Sequence, residues 1–153
     1  MRRILLFVCS LLVAVTMTVG CRASLTSQQM VAEDLTHLSE RVQSGLDKIP
    51  PQLRPAAQYR GLYDLVAYLN EAVNATENGD VARTVSALKT VSDLASSNSI
   101  QEAVLSLKDY LNDQWNNFED AVGDAAEAYG CAWGCQYATD YYDCLWRCLG
   151  QYT

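Results

Sequence analysis

The chain has 153 residues, 50% hydrophobic and 19% charged, with 18 acidic against 11 basic side chains and a formal net charge of −7. That is room for one domain of ordinary globular composition, which excludes a wholly disordered chain and a multidomain enzyme. The negative balance leaves counterion release from a nucleic-acid backbone no basic surface to act through, so nucleic acid is not expected as a partner. The three prolines are confined to Pro50, Pro51 and Pro55, and the long stretches without helix breakers favour an all-α fold.

The amino terminus reads as an address. Arg2 and Arg3 precede an uncharged stretch from Ile4 to Gly20, whose apolar core Ile4–Val15 has signal-peptide length. Thr16-Met17-Thr18-Val19-Gly20-Cys21 resembles the lipobox of bacterial lipoproteins, with Gly20 directly before the cysteine and Thr18 where that class usually carries Leu. The resemblance covers about 20 residues. It implies a signal peptide over residues 1–20, cleavage before Cys21, and a lipid on that thiol that anchors the chain to a membrane. It also implies a cell-envelope location, with the outer membrane favoured in a Gram-negative host because Arg22, not Asp, follows the cysteine. Two alternatives stay open: ordinary secretion after a cut near Ala23, or a retained anchor. The stretch up to Gly20 only reaches the short limit of about 17 residues for a spanning helix. Loss of Arg2 and Arg3 deepens the net charge to −9, and loss of Arg22 as well to −10.

Of the six cysteines, Cys9 lies in the leader and Cys21 at its boundary, which leaves Cys131, Cys135, Cys144 and Cys148 for the folded body. An even number in an exported chain points to disulfides. The four form two C-x-x-x-C pairs, each one helical turn apart on one face. On a single continuous helix Cys144 would point roughly 140° to 180° away from the first pair, so the chain should turn near Ala138 to Asp140. In the resulting antiparallel hairpin, spanning residues 131–148, the outer and the inner cysteines face each other. The twin pattern resembles the helical hairpins of plant alpha-hairpinin peptides and of small mitochondrial intermembrane-space chaperones. That resemblance implies the nested connectivity Cys131 with Cys148 and Cys135 with Cys144. The alternatives are free or redox-active thiols and a four-thiolate metal site; zinc sites of this kind favour C-x-x-C spacing, and an oxidising compartment removes thiolates. No metal site is expected.

Between tether (residues 21–28) and carboxy terminus, residues 29–153 read as one helical domain. Val31, Leu35, Leu38, Val42, Leu46 and Ile49 trace one helical stripe, with Thr26 and Gln29 available as a cap and Pro50-Pro51 as a stop. This stripe slips at Gly45 after barely two heptads, which favours burial within the chain over a coiled-coil dimer. A second helix from Pro55 buries Tyr59, Leu62, Val66, Leu69 and Val73 and closes at Asn78-Gly79. Asp80 caps a third, bearing Val81, Val85, Leu88, Val91 and Leu94. Ser99-Ile100-Gln101-Glu102 has the capping-box pattern for a fourth, with Val104, Leu107, Leu111, Trp115, Phe118, Val122 and Ala125 as its stripe. At about 30 residues and roughly 45 Å, that helix should project beyond the bundle or break at Gly123 or Gly130. Short connections then predict an up-and-down bundle of about four helices with a stapled carboxy-terminal hairpin, whose small core draws on Trp133 and Trp146.

Candidate sites are few. Asp109, Asp113, Asn116, Asp120, Asp124 and Glu127 form an acidic ridge at helical spacing, read as a solvated face or a weak cation or basic-partner surface. His37 is the only histidine and no nucleophile, zinc or phosphate motif accompanies it, so it is expected to be exposed or half-buried. Asn74-Ala75-Thr76 is a glycosylation sequon with meaning only in a eukaryotic host. Trp133, Tyr137, Tyr141, Tyr142 and Trp146, with Tyr129 and Tyr152 nearby, exceed what a small hairpin can bury and form a candidate surface for an envelope protein or cell-wall partner. No catalytic residue and no cofactor is expected. The leading expectation is a non-enzymatic, membrane-anchored envelope lipoprotein acting as a structural or protein-interaction module. The alternative is a soluble secreted or periplasmic protein binding a small apolar ligand or cation.

Overall fold

The computed structural model describes residues 25–151, and every structural statement below concerns these. They form six helices of nine residues or more and no strand: α1 Ser27–Leu46, α2 Arg60–Glu77, α3 Val81–Ala95, α4 Asn98–Ser106, α5 Trp115–Cys135 and α6 Tyr141–Leu149. The expected all-α fold is present, with α1, α2, α3 and α5 as the four long helices. Each packs on the next, and α5 closes the ring against α1.

Side-chain burial shows the up-and-down order. One buried cluster joins Leu46 of α1, Leu62 of α2, Ala95 of α3 and Phe118 of α5. The other joins Val31 and Leu35 of α1, Ala72 of α2, Leu88 of α3, Ala132 of α5 and Leu145 of α6. Successive helices therefore run in alternate directions, from a near end that holds the start of α1 to a far end and back. The α1 stripe is buried inside the chain, with Val31, Val42 and Leu46 at 0% exposure, so it is no dimer seam.

Local chemistry sets the boundaries. Thr26 caps α1 in a reciprocal capping box with Gln29, so the helix starts two residues before the expected domain boundary. Gln28 donates to the carbonyls of Thr76 (2.7 Å) and Glu77 (3.2 Å), tying the start of α1 to the end of α2. Gly79 takes φ +68°, a left-handed turn that lets α2 pass into α3, and Asp80 caps α3 through Arg83 N. In α3 the buried face is Thr84, Ala87, Leu88, Val91 and Ala95, whereas Val81, Val85 and Leu94 are half-buried at its margin. Thr84 Oγ1 donates to Asp80 O (2.9 Å), which leaves Thr76 Oγ1 to donate to Thr84 across 3.3 Å; both hydroxyls are fully buried and paired.

The long fourth helix is a correction. The chain neither projects nor breaks at Gly123 or Gly130, both of which lie inside α5. It breaks over Leu107–Gln114, through one helical turn (Lys108–Leu111) and a 3₁₀ turn (Asn112–Gln114), with Asn112 at φ 48°. Its cap is Ser97, not Ser99. Folding back places Ile100, Ala103, Val104, Leu107 and Leu111 in the far cluster beside Tyr59 and Leu62, so α4 covers that end. A straight helix would leave these side chains in water, at about 1.5–3 kcal/mol for each large one. Trp115 clamps the turn: its Nε1 donates to Val104 O (3.3 Å) and Lys108 Nζ lies 4.9 Å from its ring centroid.

At Gly45 the Phe118 ring of α5 packs directly on the α1 backbone. A Cβ there would stand 2.7 Å from Cε2 and 2.9 Å from Cγ of Phe118, itself 2% exposed and walled in. Gly45→Ala should therefore cost about 1–3 kcal/mol of unfolding free energy, read from urea melts; an unchanged midpoint would contradict this packing. Asn112→Gly should raise stability by about 0.5–1 kcal/mol, because glycine relieves the left-handed backbone at an exposed position. A lower melting temperature for that variant would remove Asn112 as a point of strain.

Candidate functional site

The near end of the bundle carries the four cysteines and the aromatic cluster singled out above, and the carboxy-terminal hairpin builds it. α5 ends at Cys135, Gln136–Thr139 form the turn, and Asp140 caps α6 by accepting from Asp143 N at 3.0 Å. The chain thus reverses over residues 136–140, a turn that includes the expected Ala138 to Asp140 and starts two residues earlier. Cys131 bonds to Cys148 and Cys135 to Cys144, in the nested order, with Cα–Cα distances of 5.6 and 5.7 Å. Cys131 and Cys135 are buried, while Cys144 and Cys148 are half-buried against the same cluster. Leu145 and Leu149 fill the space between α1 and α5.

The aromatic side chains divide. Trp133 is 55% exposed and Tyr137 90% exposed. Trp133 does not belong to the hairpin core: it lies two residues from Cys131 and from Cys135, roughly 200° around the helix from the face they bury. Tyr129 pairs with it, ring centroids 6.1 Å apart. Tyr141 is a correction of the opposite kind. It is only 7% exposed and so offers no partner surface. It stands four residues before Leu145 and eight before Leu149, on the one face of α6 that packs inward. Tyr142 and Trp146 are half-buried beside it. Tyr152 and Cys21 lie outside the described residues.

The rings of Tyr141 and Tyr142 meet edge to face at 5.0 Å, and their hydroxyls are buried with no hydrogen-bond partner. Tyr142 lies near Thr84, yet no bond of acceptable geometry forms. Burial pushes both phenols above their ordinary value of 10.0, helped for Tyr141 by Tyr142.

The acidic ridge does not survive as one face. The break at Asn112 separates Asp109 and Asp113 from Asp120, Asp124 and Glu127. Asp124 is engaged by Arg41 at 2.9 Å, and Arg41 also donates to Asn117 O, which ties α1 to α5. Among the described residues no group of three or more His, Cys, Asp or Glu side chains is placed to hold a metal ion.

His37 is exposed and lies with Glu40 on the border between two surface grooves of about 490 Å³ each, one bounded by Glu33 and Glu77, the other by Arg41 and Gln114. Asp34, one turn before Leu38, has its carboxyl held above the usual range by burial and by Glu33, with His37 opposing. A third groove, about 400 Å³, runs between Leu105 of α4 and Gly123 of α5. Comparison with protein-family models, curated proteins and solved structures finds no match to this chain.

A phenol whose folded value lies above its unfolded value makes its full contribution below the unfolded value and loses it as pH rises from there through the folded value. Stability should therefore fall more steeply above about pH 10 than tyrosine-free unfolding would give. Tyr141→Phe removes a buried unpaired hydroxyl and should leave the protein as stable or about 1 kcal/mol more stable near neutral pH, with a shallower alkaline decline. Urea melts near pH 7 and near pH 11 test this; a variant that is less stable at both would show that the hydroxyl has a partner.

Proposed function

We propose that this chain is an exported lipoprotein, anchored through a lipid on Cys21, that holds a non-enzymatic helical domain against the cell envelope as a structural or interaction module. The two disulfides belong to a non-reducing, exported environment. No helix among the described residues is long and apolar enough to cross a membrane. The observation that carries the reading is the division of the cysteines. Four are consumed in pairs within the hairpin, while Cys21 stands apart at the end of a basic-then-apolar leader, directly after Gly20.

The tether is shorter than the sequence alone suggests. With α1 capped by Thr26, four residues lie between Cys21 and the helix cap, a reach over five residue steps of at most about 18 Å. α1 itself, at 20 residues, is about 30 Å long. An anchored domain would thus stand on the membrane rather than swing freely above it.

Intact-mass spectrometry on natively expressed protein, with thiol alkylation before and after reduction, tests the proposal. The expected result is a diacyl or triacyl chain beginning at Cys21, with four thiols that appear only on reduction, and loss of membrane sedimentation in Cys21→Ala. A full-length or Ala23-cut chain without acyl groups would overturn it and favour a soluble exported protein.

A further inference from the structure

The near end of the bundle contains both the start of α1 and the disulfide hairpin. Val31 and Leu35 share one buried cluster with Ala132, Cys135, Tyr141 and Leu145, and Gln28 is bonded to the end of α2 at the same level. This follows from the alternation of four long helices: the chain leaves by α5 at the end where it entered by α1. Whatever holds the residues before Leu25 therefore also faces the hairpin turn.

That turn is unlike the rest of the surface. From Ala128 to Thr139 the sequence carries no charge, whereas the preceding turns of α5 hold Glu119, Asp120, Asp124 and Glu127. Within the uncharged stretch the two most prominent side chains are Trp133 and Tyr137, exposed by 55% and 90%. Neither side chain lines any of the three grooves described above. A Cβ on Gly130 or Gly134 would meet nothing within 4 Å, so the backbone at these two positions is open as well. Tryptophan and tyrosine are the residues that settle at the boundary between lipid chains and water, where an apolar ring and a polar edge are both accommodated. The carboxylates bordering the turn are engaged: Asp140 caps α6, and Asp143 pairs with Arg147 at 3.0 Å.

We propose that the hairpin tip is a membrane-contacting surface, in which Trp133 and Tyr137 enter the headgroup region of the bilayer that holds the Cys21 lipid. The inference rests on the lipoprotein reading for its anchor. The occupant is a lipid surface rather than a protein, because the tether of at most about 18 Å starts at this same end, beside the α2–α3 turn to which Gln28 is bonded, and keeps the uncharged tip within reach of the bilayer. The acidic residues around it match zwitterionic headgroups better than anionic ones. The tip acts as a second foot: one lipidated residue alone would let the domain pivot, and two aromatic side chains at a second point of the near end restrict that pivot.

The test uses the full acylated protein with Trp115 and Trp146 replaced by Phe, so that Trp133 is the sole indole, checked for native helicity and for thiols protected until reduction. It is reconstituted into phosphatidylcholine vesicles containing lipids brominated high on the acyl chain. The expected result is loss of Trp133 emission in brominated vesicles, shielding of that indole from aqueous iodide, and recovery of emission in Tyr137→Asp with sedimentation unchanged. Acylated protein that sediments with vesicles while Trp133 stays unquenched by bromine and open to iodide would overturn the tip contact and leave the anchor intact. Protein that is not acylated and does not sediment would overturn both. Quenching that is undiminished in Tyr137→Asp would remove Tyr137 from the contact and overturn the two-residue proposal.

Discussion

A nine-residue helix has no stability of its own in water, and α6 is such a helix. It nevertheless supplies Tyr141, Leu145 and Leu149 to the near core, where without them Val31, Leu35 and Ala132 would face solvent. The two disulfides to α5 are what keep it there. They close separations of 17 and 9 residues, worth about 2–3 kcal/mol each by loop-closure reasoning. Because they are nested, either one alone preserves the hairpin. The rest of the near end, including the packing of α1 against α5 and α6, depends on this covalent brace.

The far end is held by different means. There α4 folds back over the ends of the long helices, and the chain accepts a left-handed Asn112 and an interrupted ladder to do so. Loop 47–56 is fastened from within by Arg54, which donates to Ile49 O at 2.9 Å and to Asp47 O at 3.0 Å. One end is thus closed by cross-links and the other by packing. Between them polar ties join neighbouring helices, among them Arg41 to Asp124, Arg83 to Glu71, Ser39 to Asn70 (2.7 Å), and Ser92 to the carbonyl of Ala126 (2.8 Å).

Much of this was legible in the chain because helices leave a strong periodic signal. The α1 stripe from Val31 to Ile49, the cap at Asp80, the turn at Gly79 and the pairing of the four cysteines all appear in the structure. The break before α5 was not legible. The stripe Leu107, Leu111, Trp115, Phe118 keeps helical spacing straight through it, and Asn112 signals a left-handed turn far more weakly than a glycine would. Trp133 and Tyr141 were misplaced for a common reason: aromatic residue type says little about side, while their offsets from Cys131 and Leu145 decide it. The meaning of Gly45 also lay outside the sequence, since it depends on a Phe118 ring 73 positions away.

An even number of long helices brings more than the hairpin back to the starting end. α6 begins and ends within the near cluster, through Tyr141 and Leu149, so Gln151 emerges from the same half of the bundle as Leu25. A purification tag or fluorescent reporter fused to the carboxy terminus would therefore crowd the very face from which the leader departs. The loop around Pro51 and Gln52, exposed at the opposite pole, is the position where an inserted label would leave that face unobstructed.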